Sequence, residues 1–350
     1  MNQSPFKKTF FRSPFAGCLR IYSIFCLLVG YGVGYAQEST KEATKDSPAS
    51  CEQLEKKGPS RQELARKGMN LILDKKYLPD DFDQETFEQV WRSWPTDLRQ
   101  KAEQASADEI REMAFRRYGF TPRPSDPTKP LQFVVQEKSL GKPDQSNGKS
   151  NVFAMNCFAC HGGSLYGSTK SYPGLPNNRI ALETLYEDMR QTKRILKKQF
   201  SGMDIGSAIV PMGTTVGTSN AVVFGVSLMA FRDKRLDLKS FVIPPYVTHH
   251  DMDAPPWWNY KYRKMLYIDA FLEKHHRGLM PFIMVKDNHG ELFRSYEPQF
   301  EIIKYFLESV EPPKYPHRVD REKAKKGNVL FQANCAQCHG GQGPRDRSDH

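Results

Sequence analysis

Apolar residues recur every three to four positions along several stretches of the chain, a spacing that lets a helix bury one face. The first such run consists of Phe87, Val90, Trp91 and Trp94. It stops at Pro95, because proline has no amide hydrogen to donate within a helix. Another helix is predicted after Ser106, since Ser106 and Glu109 have the spacing of a capping box ahead of further apolar residues.

Three later stretches are also predicted to be helical. The strongest is amphipathic, and its apolar face consists of Leu182, Leu185, Met189 and Leu196. A second helix is expected from about Pro298 to Val310, and a short third one contains Ala324, Gly327, Val329, Leu330 and Phe331. In the part of the chain before residue 150, residues 131–135 are the one strand candidate. The expected fold class is therefore mainly α, with long loops and little strand.

The chain begins with a pattern typical of a secretory signal peptide. Residues 1–36 contain four basic residues and no acidic one, and their apolar run closes on the small residues Gly34 and Ala36. Cleavage is expected after Ala36. An uncleaved anchor is less favoured, because the run from Ile21 to Ala36 is shorter than the ~20 residues of a spanning helix. The mature protein is expected to be periplasmic or secreted, with no membrane span.

Composition divides the remaining chain into segments. Residues 37–59 are polar, charged and proline-containing, as in a disordered tether. Residues 60–310 are expected to form a helical region, and residues 311–320 a linker, since the stretch EPPKYPH cannot continue a helix. A further unit would begin at residue 321 and extend over residues 321–350.

The net charge of +11 becomes +7 when the four basic residues of the leader are removed, which leaves 47 basic and 40 acidic residues. These charges follow one another in short mixed runs, without the dense basic block that is typical of nucleic-acid-binding proteins. Nucleic acid is therefore not an expected partner. The charged side chains are interpreted as a solvated surface.

Two copies of one octet carry the most specific chemistry in the sequence. Residues 156–163 read NCFACHGG and residues 334–341 read NCAQCHGG, so that only the two residues between the cysteines differ. Each octet places two thiols about one helical turn apart, with an imidazole directly after them. Cys-x-x-Cys-His is the attachment signature of c-type haem, in which the thiols bond to the macrocycle and the histidine binds the iron.

Other interpretations of the octets fit less well. A zinc ribbon places its cysteine pairs about 15–20 residues apart, whereas Cys157 and Cys335 are 178 positions apart. A redox dithiol does not need the histidine that follows, and two chance occurrences in one chain are improbable. An exported chain also meets the haem-attachment machinery outside the cytoplasm, so the leader and the octets support each other.

Two covalently attached haem c groups are therefore expected. Cys157 and Cys160 would bind the first haem, with His161 as the proximal iron ligand. The corresponding residues of the second octet are Cys335, Cys338 and His339. The sequence leaves the sixth ligand of each iron open among several methionines and the other histidines, which are His249, His250, His275, His276, His289, His317 and His350.

Two further segments accompany the widely spaced octets, PPWWNYK at residues 255–261 and PPKYPHRVD at residues 312–320. With these features together, the chain resembles the bacterial dihaem cytochrome c peroxidase and MauG superfamily. The likeness covers roughly residues 150–350 and is greatest to the rubber-oxygenase type of dihaem protein. It implies two cytochrome-c-like lobes, of which one haem reacts with peroxide or oxygen and the other passes electrons. It also implies that Trp257 or Trp258 lies between the haems as an electron relay.

The resemblance thus predicts an exported oxidoreductase that receives electrons from a small redox protein or another carrier. The first haem is the expected reactive centre, because a long stretch follows its motif and includes a run of small residues after Pro211. One feature departs from the family pattern: only eleven residues follow His339, so the second lobe is expected to be incomplete. An electron-transfer cytochrome without substrate chemistry and an inactive fragment remain the alternatives.

Overall fold

The computed structural model describes residues 58–139, 149–165, 168–239, 250–267, 270, 272–315 and 317–339. The predicted signal peptide, nearly all of the predicted tether and the last two residues of the second octet lie outside these ranges. Helices contain several times as many residues as strands in the described chain, so the expectation of a mainly α fold with little strand is confirmed. No helix within these ranges combines the length and hydropathy that crossing a membrane would require.

The chain up to residue 118 is built from short helices. They are α1 (Arg61–Asp74), α2 (Gln84–Glu88), a 3-10 helix (Val90–Ser93), α3 (Thr96–Glu103) and α4 (Ala107–Tyr118), with a two-residue strand β1 (Phe82–Asp83) before α2. The predicted capping box begins α4, where the amide of Ser106 donates to the Glu109 carboxylate at 2.8 Å. Gly119 ends α4, because the helix closes on a residue with a left-handed backbone (φ 71°) that glycine adopts without strain.

Two small antiparallel sheets follow. In one, β2 (Pro122–Arg123) pairs with β3 (Asp126–Pro130). In the other, β5 (Lys149–Met155) is the central strand between β1 and β4 (Phe133–Ser139). The strand prediction for residues 131–135 is correct from Phe133 onward, whereas β5 has no counterpart among the predicted strands. Val152, Phe153 and Ala154 are all buried, so β5 lacks the polar–apolar alternation that marks a half-exposed strand.

The rest of the described chain alternates helices with loops. Its helices are α5 (Phe158–His161), α6 (Leu182–Ile195), α7 (Gly202–Ile209), α8 (Ala221–Ala230), α9 (Gly290–Ser295), α10 (Glu297–Ser309), α11 (Arg321–Asn334) and α12 (Ala336–His339), with 3-10 helices at Trp257–Tyr262, His276–Leu279 and Pro281–Ile283. Two-residue strands pair as β6 (Thr218–Ser219) with β7 (Met252–Asp253) and as β8 (Met265–Leu266) with β9 (Leu272–Glu273). The predicted helices at residues 182–196, 298–310 and 324–331 are all present.

Two apolar clusters form the core. The first cluster includes Val90, Tyr118, Phe133, Leu185, Tyr186 and Met189, and the second cluster includes Ile72, Leu131, Phe158, Met280, Phe300 and Ile303. In the second cluster α1 packs against α10 so closely that a Cβ at Gly68 would lie 2.6 Å from the Ile302 carbonyl oxygen. The short helix α5 contacts both clusters: Phe158 is fully buried in the second, and Cys160 packs against the first.

The helices α11 and α12 differ from the rest of the described chain. None of their residues is buried, and the apolar side chains of Val329 and Leu330 are 68% and 65% exposed. Burial of such a side chain contributes about 1.5–3 kcal/mol to folding. These two helices therefore lack most of the packing that stabilises α1–α10.

This difference predicts the order of proteolysis. Limited digestion with trypsin should cut at Arg321, Lys323, Lys325 and Lys326 before it cuts at Arg111 or Arg116 of α4, although all six side chains belong to helices. The reason is that α11 can open locally without disrupting a core. The measurement is a time course of fragment masses, in which a product that ends near residue 321 should accumulate. Simultaneous loss of both regions would contradict the expectation.

Candidate functional site

The first octet begins where β5 ends. The side chain of Asn156 fixes this junction, because its Oδ1 accepts a hydrogen bond from the amide of Phe158 at 2.9 Å and its Nδ2 donates to the Leu131 carbonyl at 3.0 Å. The next residues form the single turn of α5, in which the amide of His161 donates to the Cys157 carbonyl at 3.2 Å. This turn brings both cysteines and the histidine of the motif into one small region, as the spacing predicts.

The two glycines of the octet are required by packing. A Cβ at Gly162 would lie 2.7 Å from the Phe158 carbonyl oxygen, and one at Gly163 would lie 2.3 Å from the Pro176 carbonyl oxygen. Asn177 holds the same turn from the other side, since its Nδ2 donates to the carbonyls of Gly119 at 2.8 Å and Ala159 at 3.0 Å. The first octet is therefore held in place by backbone contacts as well as by its apolar side chains.

His161 stacks on Trp257. The centres of the two rings lie 4.7 Å apart and their planes are inclined by 27°. Gly174 joins the two residues through the backbone: its amide donates to the His161 carbonyl at 2.6 Å, and its carbonyl accepts from the amide of Trp257 at 2.9 Å. Gly174 has a φ of 91°, and a Cβ there would contact Val310 at 2.7 Å and Trp257 at 3.2 Å. Gly174 and Asn177 are residues that the motif alone does not identify.

The imidazole of His161 is held in its neutral form. Burial lowers its pKa to about 4, and the nearby Pro255 backbone opposes part of this shift. Its Nδ1 atom is buried and has no hydrogen-bond partner among the described residues. Neutral imidazole is the form that binds metal ions, and a metal-bound histidine usually directs its second ring nitrogen at a carbonyl or carboxylate. The Pro255 carbonyl is the natural acceptor for such a bond.

The two thiols of the first octet differ in exposure: Cys157 is exposed to solvent and Cys160 is half-buried. The protein beside Cys157 raises the pKa of its thiol. Tyr77 and Tyr267 are close by: the pKa of each phenol is raised mainly by burial and further by Cys157. Burial also raises the pKa of Cys160, and the nearby side chain of Ser219 opposes this shift.

A crevice too narrow to admit a water molecule borders Cys160. It is lined by Cys160, Asn177, Ile180, Gly217, Thr218, Ser219 and Ala254. Three of these residues belong to the run of small residues after Pro211. The sequence predicts that this run contributes to a pocket near the first motif, and the structure does bring it beside Cys160.

These features fit the attachment of a haem. The donor set consists of the exposed thiol of Cys157, the half-buried thiol of Cys160 and one neutral imidazole. Within the described parts of the chain, no three His, Cys, Asp or Glu side chains converge on a position for a metal ion. A haem requires only one axial ligand from the motif, because its macrocycle supplies four nitrogen ligands.

The second octet repeats the turn in different surroundings. The amide of His339 donates to the Cys335 carbonyl at 3.0 Å, as His161 does to Cys157, and both turns are short helices. Cys335 and Cys338 are exposed, however, and none of the described residues around them on α11 or α12 is buried. The local conformation therefore follows from the motif, whereas the enclosure of the first site does not.

The other residues singled out from the sequence have varied positions. Trp258 is half-buried and packs against the second cluster, next to Trp257. The Nδ1 atoms of His275 and His289 accept backbone hydrogen bonds at the starts of helices, and His276 is buried within 4.0 Å of carboxylates on α10. His249 and His350 lie outside the described residues.

The widest of the described clefts is elsewhere. It lies between α6 and α7, has a volume of about 470 Å³ and is bordered by Glu187, Arg190, Phe200 and Ile205, among others. No residue of either octet contributes to it. Size alone would therefore point away from the residues that carry the chemistry.

Comparisons with protein-family models, with curated proteins and with solved structures gave no match to this chain.

The bridging role of Gly174 gives a testable prediction. Gly174→Ala should lower the free energy of unfolding by about 1–3 kcal/mol, because alanine strains the left-handed backbone, and should shift tryptophan fluorescence as Trp257 moves. Urea unfolding and emission spectra would measure both effects. Gly202→Ala is the matched control, since a Cβ at Gly202 meets no atom within 4 Å. Equal effects of the two substitutions would show that Gly174 has no special role.

Proposed function

We propose that this protein is an exported dihaem c-type cytochrome that acts as an oxidoreductase. The first haem would be bonded to Cys157 and Cys160, with His161 as its proximal ligand. The second would be held by Cys335, Cys338 and His339. The observation that carries the proposal is the first octet: an exposed thiol, a half-buried thiol and a half-buried imidazole with a lowered pKa share one helical turn.

The haem would supply a one-electron couple and, where its sixth position is open, a site for oxygen or peroxide. Residues of this chain would control its setting. Gly174 and Trp257 would fix the orientation of the His161 ring, since one bonds to its backbone and the other stacks on its side chain. The Pro255 carbonyl would accept the Nδ1 proton, which makes a bound imidazole a stronger ligand.

The surroundings of the two octets support different roles. The first lies at the junction of two apolar clusters, and such an environment can exclude water from a reactive centre. The second is exposed on α11 and α12, as is suitable for electron exchange with a small redox protein. We therefore assign reaction with oxygen or peroxide to the first haem and electron entry to the second, in two cytochrome-c-like lobes.

Haem attachment is the first test of the function. After co-expression with a c-type maturation system, the intact mass should increase by two haem groups, and the haem should stay with the polypeptide in acid-acetone. The double substitution Cys157→Ala with Cys160→Ala should remove one of the two, as should Cys335→Ala with Cys338→Ala. An unmodified mass for the parent chain would refute the proposal.

The assignment of the reactive haem has a separate test. The ferric protein should show a high-spin signal that disappears in His161→Ala but persists in His339→Ala, where electron delivery should instead become slower. Electron paramagnetic resonance and stopped-flow mixing with peroxide would measure the two effects. If the parent protein contains only low-spin iron and ignores both oxygen and peroxide, it is an electron-transfer cytochrome without substrate chemistry.

A further inference from the structure

A group of buried ionisable residues lies close to the first octet and has no part in haem attachment. This group, the Asp81 cluster, consists of Asp81, Tyr186, Lys193 and Asp204. Each of the four residues is at least 95% buried. The ammonium of Lys193 bonds to both the Asp204 carboxylate and the Asp81 carbonyl oxygen. Lys193 thus forms an ion pair with Asp204 and bonds to Asp81 through its backbone carbonyl, while its charge also acts on the Asp81 carboxylate.

The charges of the cluster do not balance when both carboxylates are ionised. One ammonium leaves one excess negative charge, and a buried charge without its own counter-ion is costly. The Oδ1 atom of Asp204 is buried and has no hydrogen-bond partner among the described residues. The nearest additional cation is Arg190, which donates to the backbone carbonyl of Asp204 but is paired with Glu187 at 2.7 Å. Uptake of one proton would restore neutrality.

Asp81 is the residue suited to take that proton. Desolvation raises its pKa to about 7, Asp204 adds to the shift, and the Met155 amide and Lys193 oppose it. Asp81 lies in a polar cage: one carboxylate oxygen accepts the amide of Met155 at 2.8 Å and the other accepts the Tyr186 hydroxyl at 3.3 Å. A carboxyl group with this setting changes its charge near neutral pH.

The Asp81 cluster lies close to the first octet both along the chain and in the core. Met155, which Asp81 holds, is two positions before Cys157. Tyr186 belongs to the first cluster, against which Cys160 packs. Burial and Asp81 chiefly raise the pKa of the Tyr186 phenol. Cys160 raises it further, so the side chains of Tyr186 and Cys160 lie within electrostatic range of each other.

We propose that the Asp81 cluster is a proton-binding site coupled to the redox state of the haem at the first octet. The inference rests on the proposed function. When a one-electron donor reduces the iron, the site loses one positive charge, and the carboxylate of Asp81 takes up one proton from solvent to form the neutral acid. Oxidation of the iron releases the same proton. Tyr186, Lys193 and Asp204 face Asp81 and set how readily it binds the proton.

The test uses the full chain with both haems, whose attachment is first verified by intact mass. Spectroelectrochemical titration at several pH values should show one haem whose reduction potential falls as the pH rises through neutrality. The slope should reach at most about 59 mV per pH unit, which for a one-electron couple corresponds to a tenfold change in the equilibrium constant of reduction. This dependence should disappear in Asp81→Asn. Asp188→Asn is the matched control, because Asp188 is a buried carboxylate of the same helix as Lys193 but has its own cation, Arg117, at 2.7 Å. It should keep the dependence.

Proton uptake provides a second measurement in case Asp81→Asn folds poorly. Reduction of the parent protein at an electrode, through a one-electron mediator that binds and releases no protons, should take up a fraction of a proton near pH 7 in weakly buffered solution. Tyr186→Phe, which keeps the ring, should shift the pH of maximal uptake. A pH-dependent potential that persists unchanged in Asp81→Asn, or the absence of uptake in the parent, would overturn the inference while haem attachment stands. A chain without attached haem would overturn the proposed function and this inference together.

Discussion

The stacking of His161 on Trp257, joined through the backbone of Gly174, is the contact on which the arrangement of the first site depends. It connects the turn of the first octet to the segment at residues 255–262 and, through Phe158 and Phe306, to the second cluster. Trp257 and Phe158 are almost fully buried, and burial of each such side chain is worth about 1.5–3 kcal/mol. The energy that orders the core therefore also orients the imidazole.

The two octets separate the effect of a motif from the effect of its surroundings. Both adopt the same turn, because the hydrogen bond from the histidine amide to the first cysteine carbonyl is local. Only the first is enclosed, since Asn177, Gly174 and Trp257 contact it from segments that follow later in the chain. Desolvation then lowers the pKa of His161 and keeps its imidazole neutral.

Buried polar groups add a further constraint around the first site. The fold places the carboxylate of Asp81 and the ammonium of Lys193 in its interior, where charges are costly unless they are paired and hydrogen-bonded. The Trp94 indole, the Tyr118 hydroxyl and Asp188 form a separate buried network in the same part of the chain, which Arg117 neutralises. The Asp81 cluster has the same kinds of residue but one more carboxylate than cation, and this excess is the basis of the proton uptake proposed for it.

Sequence alone determined the features that depend on neighbours along the chain: the helices α4, α6, α10 and α11, the capping box at Ser106 and the turn of each octet. It also identified the thiols and the imidazoles that would bind haem, because attachment chemistry requires those residue types at that spacing. The tertiary structure decided the rest. His161 and Trp257 are 96 positions apart, and β5 is buried on both faces, so neither the stacking contact nor the strand produces a periodic signal. Long-range packing determines which of the two nearly identical octets is enclosed, because burial depends on the segments that pack against a motif and not on the motif itself.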